Sequence, residues 1–123
     1  MENWKDIATK ELNDISKECS EENWGNAMEV AVAECVALSA QKLLAMIPPS
    51  FPKPDICPKH DGGIRFEWNK TRGPLFLISV ADDNVIYYSG LFGKHSKVHG
   101  TEPLYDSLPS FIITCLERVF NNT

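Results

Sequence analysis

Two stretches near the start of the chain repeat their apolar residues at steps of three and four. Over residues 3–19, Trp4, Ile7, Ala8, Leu12, Ile15 and Cys19 share one face, which predicts an amphipathic helix. Ser20-Glu21-Glu22-Asn23 breaks the pattern, and Gly25 marks a turn or cap. A second helix is predicted over about residues 26–47, where Val32, Val36, Ala40, Leu43, Leu44 and Ile47 form an apolar stripe. Pro48-Pro49 ends it, because neither residue can donate a backbone hydrogen bond. Pro48 to Pro58 carries five prolines and is expected to run as an extended strap. Phe51, Ile56 and Cys57 make it too apolar for a free linker, so it should pack across the domain.

After Asp61-Gly62-Gly63 the period shortens to that of a strand. Ile64, Phe66 and Trp68 alternate with Arg65, Glu67 and Asn69, giving one apolar and one polar face. Lys70 to Pro74 reads as a hairpin turn. Leu75 to Val80 is almost continuously apolar, which predicts a central strand covered on both faces. Asp82-Asp83-Asn84 supplies the next tight turn and Val85 to Ser89 the third strand. Gly90, Gly93 and Gly100 bound a looser region in which Lys97-Val98-His99 fits a short fourth strand. Ser107 as N-cap, with Pro109 in the first turn, opens a helix that runs to about Phe120. The expected fold is α+β: two N-terminal helices, a Pro-rich strap, a three- or four-stranded antiparallel meander and a C-terminal helix.

Composition narrows the class. The 123 residues, 43% hydrophobic, suit a single domain over residues 1–123, and three Trp, six Phe and three Tyr argue against disorder. The net charge of −5 lies entirely in residues 1–50, which hold nine acids and four bases; residues 51–123 hold eight of each. A nucleic-acid binder would show a basic stripe, so direct nucleic-acid binding is not expected. The polar start, Met1-Glu2-Asn3-Trp4-Lys5-Asp6, is unlike a secretory leader, and Glu29, Glu34, Gln41 and Lys42 interrupt the longest apolar stretch. With four scattered cysteines and no Cys-x-x-Cys pair, a reduced cytoplasmic protein is expected, with Cys35 and Cys115 packed as small hydrophobes.

Four residues have the spacing of metal ligands. Cys57 and His60 form a Cys-x-x-His pair, and His95 and His99 form a His-x-x-x-His pair, which together suit tetrahedral zinc. The second pair lies in a Gly-rich segment rather than a helix, so solvent-exposed histidines are the simpler account, and no cofactor is expected. A small metal-dependent enzyme built on His60, Asp61, His95, His99 and Glu102 is the alternative. Asp61, Glu67, Asp82 and Asp83 are better explained by turn chemistry and by an outward strand position than as catalytic carboxylates. No nucleophile context surrounds Cys57 or Cys115, and no catalytic residue is assigned.

Binding features are more prominent. Glu2 and Asp6 lie one helical turn apart, as do Asp14, Glu18 and Glu22, and such a row can imitate phosphates toward a basic partner. Lys5, Lys10 and Lys17 lie among these acids at pairing distance, so a solvated helix face is the simpler account. Trp4, Trp24 and Trp68 are many tryptophans for a small core to hide. Tyr87 and Tyr88 are adjacent on one strand and must face opposite ways, so with Leu91-Phe92 following, one side is expected to hold a partner-binding patch unless the strap covers it.

From Glu22-Asn23-Trp24-Gly25-Asn26-Ala27 onward, the chain resembles a group of uncharacterised small bacterial and prophage proteins. In these an Asn-Trp-(Asp)-Gly helix start precedes a helix ending in Leu-Pro-like residues, a Pro-rich strap and an Asp-Gly-x-Ile-x-x-Glu-Trp strand. The corresponding residues are Leu43 to Pro49, Pro52 to Pro58 and Asp61 to Trp68, and the likeness continues through Tyr87-Tyr88-Ser89-Gly90 and His99-Gly100-Thr101-Glu102. It covers about residues 22–120, leaving residues 1–21 as an acidic addition; here Trp24 is followed directly by Gly25, without the Asp. The resemblance implies a mobile-element or defence setting and no particular reaction.

These features favour a small non-enzymatic, protein-binding regulator of bacterial or phage origin. It would act by steric inhibition, as an anti-CRISPR-type inhibitor or an antitoxin, on a protein partner such as a nucleic-acid-binding effector complex. The contact residues expected are Glu2, Asp6, Asp14, Glu18, Trp24, Trp68, Tyr87, Tyr88 and Phe92. A self-associating structural module, dimeric through its strand aromatics, is the third possibility.

Overall fold

A computed structural model describes residues 3–22, 24, 30–69 and 73–120. The described elements, in chain order, are α1 (Trp4–Glu18), α2 (Glu34–Met46), β1 (Asp55–Pro58), β2 (Ile64–Asn69), β3 (Leu75–Val80), β4 (Val85–Gly93), β5 (Ser96–Pro103) and α3 (Ser110–Phe120). The strands form one antiparallel meander in the order β1-β2-β3-β4-β5. The fold class is therefore α+β, with one strand more than the largest number expected.

The period-two pattern decides which side of the sheet is dry. Ile64, Phe66 and Trp68 of β2, Phe76, Ile78 and Val80 of β3, and Ile86 of β4 all point to one face. They share one core with Ala8 and Leu12 of α1, Val36, Ala40, Leu43 and Leu44 of α2, and Ile112, Cys115, Leu116 and Val119 of α3. Trp68 is only 1% exposed, and its ring lies between Phe66 and Phe76. Its indole N–H donates to the Pro52 carbonyl at 3.0 Å, so burial leaves no donor unpaired. The expectation that Trp68 is a partner contact is thus corrected, since it is the largest fully buried side chain among the described residues.

α1 is not a separable addition. Asn3 caps it through the Lys5 N–H at 2.8 Å, and Ala8, Leu12 and Cys19 enter the common core. The Trp4 indole donates to the Pro49 carbonyl at 3.1 Å, and the Lys5 ammonium to the Ala45 carbonyl at 3.1 Å, tying its start to the end of α2. Lys53 in the strap pairs with Glu11 at 2.5 Å.

α2 begins later than expected. Residues 30–33 are not helical: the Val30 N–H donates to the His60 carbonyl and the Val32 N–H to the Cys19 carbonyl, each at 2.8 Å. Those tertiary bonds take backbone donors that a helix would have used. Residues 26–29 lie outside the described residues. Cys115 is buried, but Cys35 in the first turn of α2 is exposed, contrary to expectation; none of the four cysteines forms a disulfide.

The strap packs as expected, yet its last four residues join the sheet. Ile56 opposes Phe66 and Cys57 opposes Arg65, so β1 is an edge strand, the position in which Pro54 and Pro58 are tolerated. The β1–β2 connection turns at Gly62, whose φ is +89°. A Cβ there would sit 2.9 Å from the Ala31 carbonyl oxygen, so the turn needs glycine for space as well as for conformation.

The Gly-rich region is also more regular than expected. β4 runs to Gly93 and β5 spans Ser96–Pro103, with a register shift between Leu91 and Gly93. Arg118 of α3 holds this hairpin, its guanidinium 4.1 Å from the Phe92 ring centroid and donating to the Ser96 hydroxyl at 2.7 Å. α3 starts at Ser110, after the expected cap, because the Pro109 carbonyl accepts the first helical bonds, from Ile112 and Ile113. The Lys70–Arg72 part of the expected β2–β3 turn lies outside the described residues. Asn84 in the expected β3–β4 turn has φ +58°, a left-handed conformation that asparagine tolerates better than most residues.

Two substitutions test this framework in urea-unfolding experiments. Trp68→Ala is expected to cost about 3–5 kcal/mol through the cavity it leaves. Gly62→Ala is expected to cost about 1–3 kcal/mol through backbone strain and the close carbonyl.

Candidate protein-binding face

The three described helices pack on the dry side, and among the described residues nothing forms a covering layer on the other sheet face. Arg65, Glu67 and Asn69 of β2, Leu75, Leu77 and Ser79 of β3, Val85, Tyr87, Ser89 and Leu91 of β4, and Lys97, His99, Thr101 and Pro103 of β5 lie on it. None of these residues is buried. Leu75 to Val80 is therefore central but covered on one side only: Leu75, Leu77 and Ser79 are half-exposed while Phe76, Ile78 and Val80 are buried.

Cross-strand register orders this face into rows. Arg65, Ser79, Tyr87 and Thr101 are successive partners, as are Glu67, Leu77, Ser89 and His99, and Asn69, Leu75, Leu91 and Lys97. Leu77, Tyr87 and Leu91 thus bring apolar surface to the middle of a polar field, with Tyr87 40% and Leu91 45% exposed. The Tyr87 hydroxyl donates to the Asp83 carboxylate, which fixes the ring on the surface. Preorganised aromatic surface of this kind loses little conformational entropy on association. A shallow groove of about 260 Å³ runs beside it, lined by Lys59, Arg65, Leu77, Ser79, Tyr87 and Ser89.

The expected contact residues divide between opposite sides of the molecule. Tyr87 stands on the open face. Tyr88 points the other way, its ring between Phe76 and Phe111 and over Gly100, where a Cβ would meet its hydroxyl at 2.7 Å. Phe92 is half-buried under Arg118. Trp24 is half-buried too, donating to the Val30 carbonyl at 3.0 Å with its ring edge-on to His60. Asp6, Asp14 and Glu18 are exposed on α1, in the helical layer, so they do not form one patch with Tyr87. Glu2 lies outside the described residues.

The zinc constellation is not assembled. β1 and β5 are opposite edges of the five-stranded sheet, about 19 Å apart at roughly 4.8 Å per strand step. Cys57 is on β1 and His60 in the turn after it, whereas His95 is in the β4–β5 turn and His99 on β5. Zinc ligands must lie within about 2.0–2.3 Å of one ion, and no group of three metal-ligating side chains occurs among the described residues. The same separation disperses the alternative catalytic set: His60 and Asp61 stand at the β1–β2 turn, and His95, His99 and Glu102 belong to the far hairpin. Among the described residues, no helix is long and apolar enough to cross a membrane.

Leu75 and Leu77 were not anticipated as surface features. The signal lay in the neighbouring strand, where Arg65, Glu67 and Asn69 declare a solvated face that register then extends to β3. Comparison with protein-family models, curated proteins and solved structures gives no match to this chain.

Two groups near this face have altered acidity. The Gly63 N–H donating at 2.9 Å, aided by the Lys59 charge, holds Asp61 below the usual carboxylate range against a smaller effect of burial. A depressed carboxyl contributes stability above its unfolded value, near 3.9, and loses it as pH falls through the folded value. Asp61→Asn should therefore lower the urea midpoint at neutral pH and match the parent more closely in acid, once the carboxyl is protonated in both the folded and unfolded states. The Asp83 carboxylate raises Tyr87 by accepting its hydroxyl proton, with smaller contributions from burial and from the Asp82 charge. In an Asp83→Asn variant, phenolate absorbance should show Tyr87 ionising at lower pH than in the parent.

Proposed function

We propose that this chain is a small protein-binding regulator that acts sterically, laying its open sheet face on a partner. The single observation carrying this reading is the uncovered patch in which Leu77 lies diagonally between Tyr87 and Leu91, within a rim of polar side chains. An apolar centre ringed by polar groups is how stable protein interfaces are built. The dispersal of the histidines and carboxylates supports binding rather than catalysis. The resemblance to small bacterial and prophage proteins suggests a setting in mobile-element conflict, where an anti-CRISPR-type inhibitor or an antitoxin would work this way. Its partner would be a protein, such as a nucleic-acid-binding effector complex.

The same face is also the natural surface for a symmetric dimer, because Tyr87 and Leu91 are exposed in the single chain. Light scattering separates the two readings: a monomer at high concentration removes the dimer.

The decisive experiment is affinity capture from host lysate with tagged protein, followed by quantified binding of the recovered partner. Tyr87→Ala and Leu91→Lys are each expected to weaken that binding by about tenfold or more, the size of a hot-spot loss near 1–2 kcal/mol. Neutralising α1 with Asp6→Asn, Asp14→Asn and Glu18→Gln should leave it unchanged. Loss of binding in the α1 variant alone would move the interface to the helical layer, and turnover of a small molecule without any stoichiometric partner would refute the reading.

A further inference from the structure

The open face concentrates basic hydrogen-bond donors at one corner. Lys59, just after β1, and Arg65 on β2 line the groove of about 260 Å³ together with Leu77, Ser79, Tyr87 and Ser89. The Lys59 ammonium is 3.5 Å from Asp61 and the Arg65 guanidinium 3.9 Å from Glu67. Charge-assisted hydrogen bonds close to about 2.7–2.9 Å, so neither contact saturates its cation. Arg65 Nε is buried and has no acceptor among the described residues. The wall beside these donors is apolar, formed by Leu77 and the Tyr87 ring, and Ser79 lies between Arg65 and Tyr87 in the cross-strand row.

We propose that this groove receives an Asp or Glu side chain of the partner protein, with an adjacent apolar residue lying on Leu77 and Tyr87. The inference rests on the open face being the docking surface and adds the chemistry of what docks there. The Arg65 side chain is 41% exposed, and a guanidinium end matches a planar carboxylate, while Lys59 adds a second donor without demanding fixed geometry. A nucleic acid fits less well, because Glu67 and Asp55 stand on the same face and would meet successive phosphates. One carboxylate beside one apolar side chain needs only Lys59 and Arg65, the two charged residues lining the groove, and no continuous basic track.

Phage display of a random peptide library, panned on the purified full chain, tests the assignment directly. Enriched peptides are expected to share an acidic residue next to a large apolar one. A synthetic representative should lose about tenfold or more in affinity when its acid is changed to the amide, and similarly against Arg65→Gln. Arg65→Lys, which keeps the charge but not the fork, should lie between, and Lys97→Gln, on the same face outside the groove, should bind normally. Equal thermal melting of the Arg65 variants and the parent checks that the fold is retained.

Peptides without an acidic residue, equal affinity for Arg65→Gln, or enrichment of no peptide would each overturn the proposal. Peptides that ignore Arg65→Gln but are lost with Leu91→Lys would leave the docking face standing while removing the carboxylate site. Binding that survives both Leu91→Lys and Tyr87→Ala would remove the docking face itself.

Discussion

The indole of Trp68 joins the parts of this fold. Its ring fills the dry side of the sheet between Phe66 and Phe76, and its N–H reaches across to the Pro52 carbonyl. A buried indole needs such an acceptor, and a proline-rich segment supplies carbonyls without competing donors. That bond holds the strap against the core. Phe51 lies on Phe120 of the last helix, and Ile56 then enters the sheet opposite Phe66. The strap thus becomes both a cover for the core and the edge strand that completes the sheet.

Putting every helix on Trp68's side of the sheet has a direct consequence for binding. The opposite face must hold whatever the odd-numbered strand positions carry, and these include Leu75, Leu77, Tyr87 and Leu91 among polar neighbours. Acidic α1 is bound into the helical layer by Leu12 and by the contacts of Trp4 and Lys5 with the end of α2 and the turn after it. Its carboxylates and the sheet aromatics therefore belong to different surfaces. They can serve two different contacts, or a contact and solubility, but not one patch.

Much of the framework was legible from periodicity. Trp4 to Cys19 repeats at helical spacing and Ile64 to Asn69 alternates strictly, and both elements formed within a residue or two of the expected limits. Other segments were misread because local pattern competed with long-range partners. Val30 and Val32 look like the start of α2, yet their N–H groups bond His60 and Cys19 carbonyls. The prolines around Ile56 argue against a strand in isolation, but an edge tolerates them. Lys97 to His99 understated β5 because Gly100 looks like a break, whereas in the sheet Tyr88 of the neighbouring strand occupies the space a side chain would have taken.

The sequence by itself determined the secondary-structure class, the residues that must be dry on β2, and the opposed directions of Tyr87 and Tyr88, because each follows from spacing along a single segment. Only the tertiary structure decided that the Trp68 indole meets the Pro52 carbonyl, that His60 and His99 are held at opposite sheet edges, and that Leu77 stands beside Tyr87 and Arg65 on an open face. Those outcomes depend on strand order, register and the side on which the helices pack, which are relations between segments. An apolar run such as Leu75 to Val80 satisfies either one covered face or two; the placement of the helices selects between them.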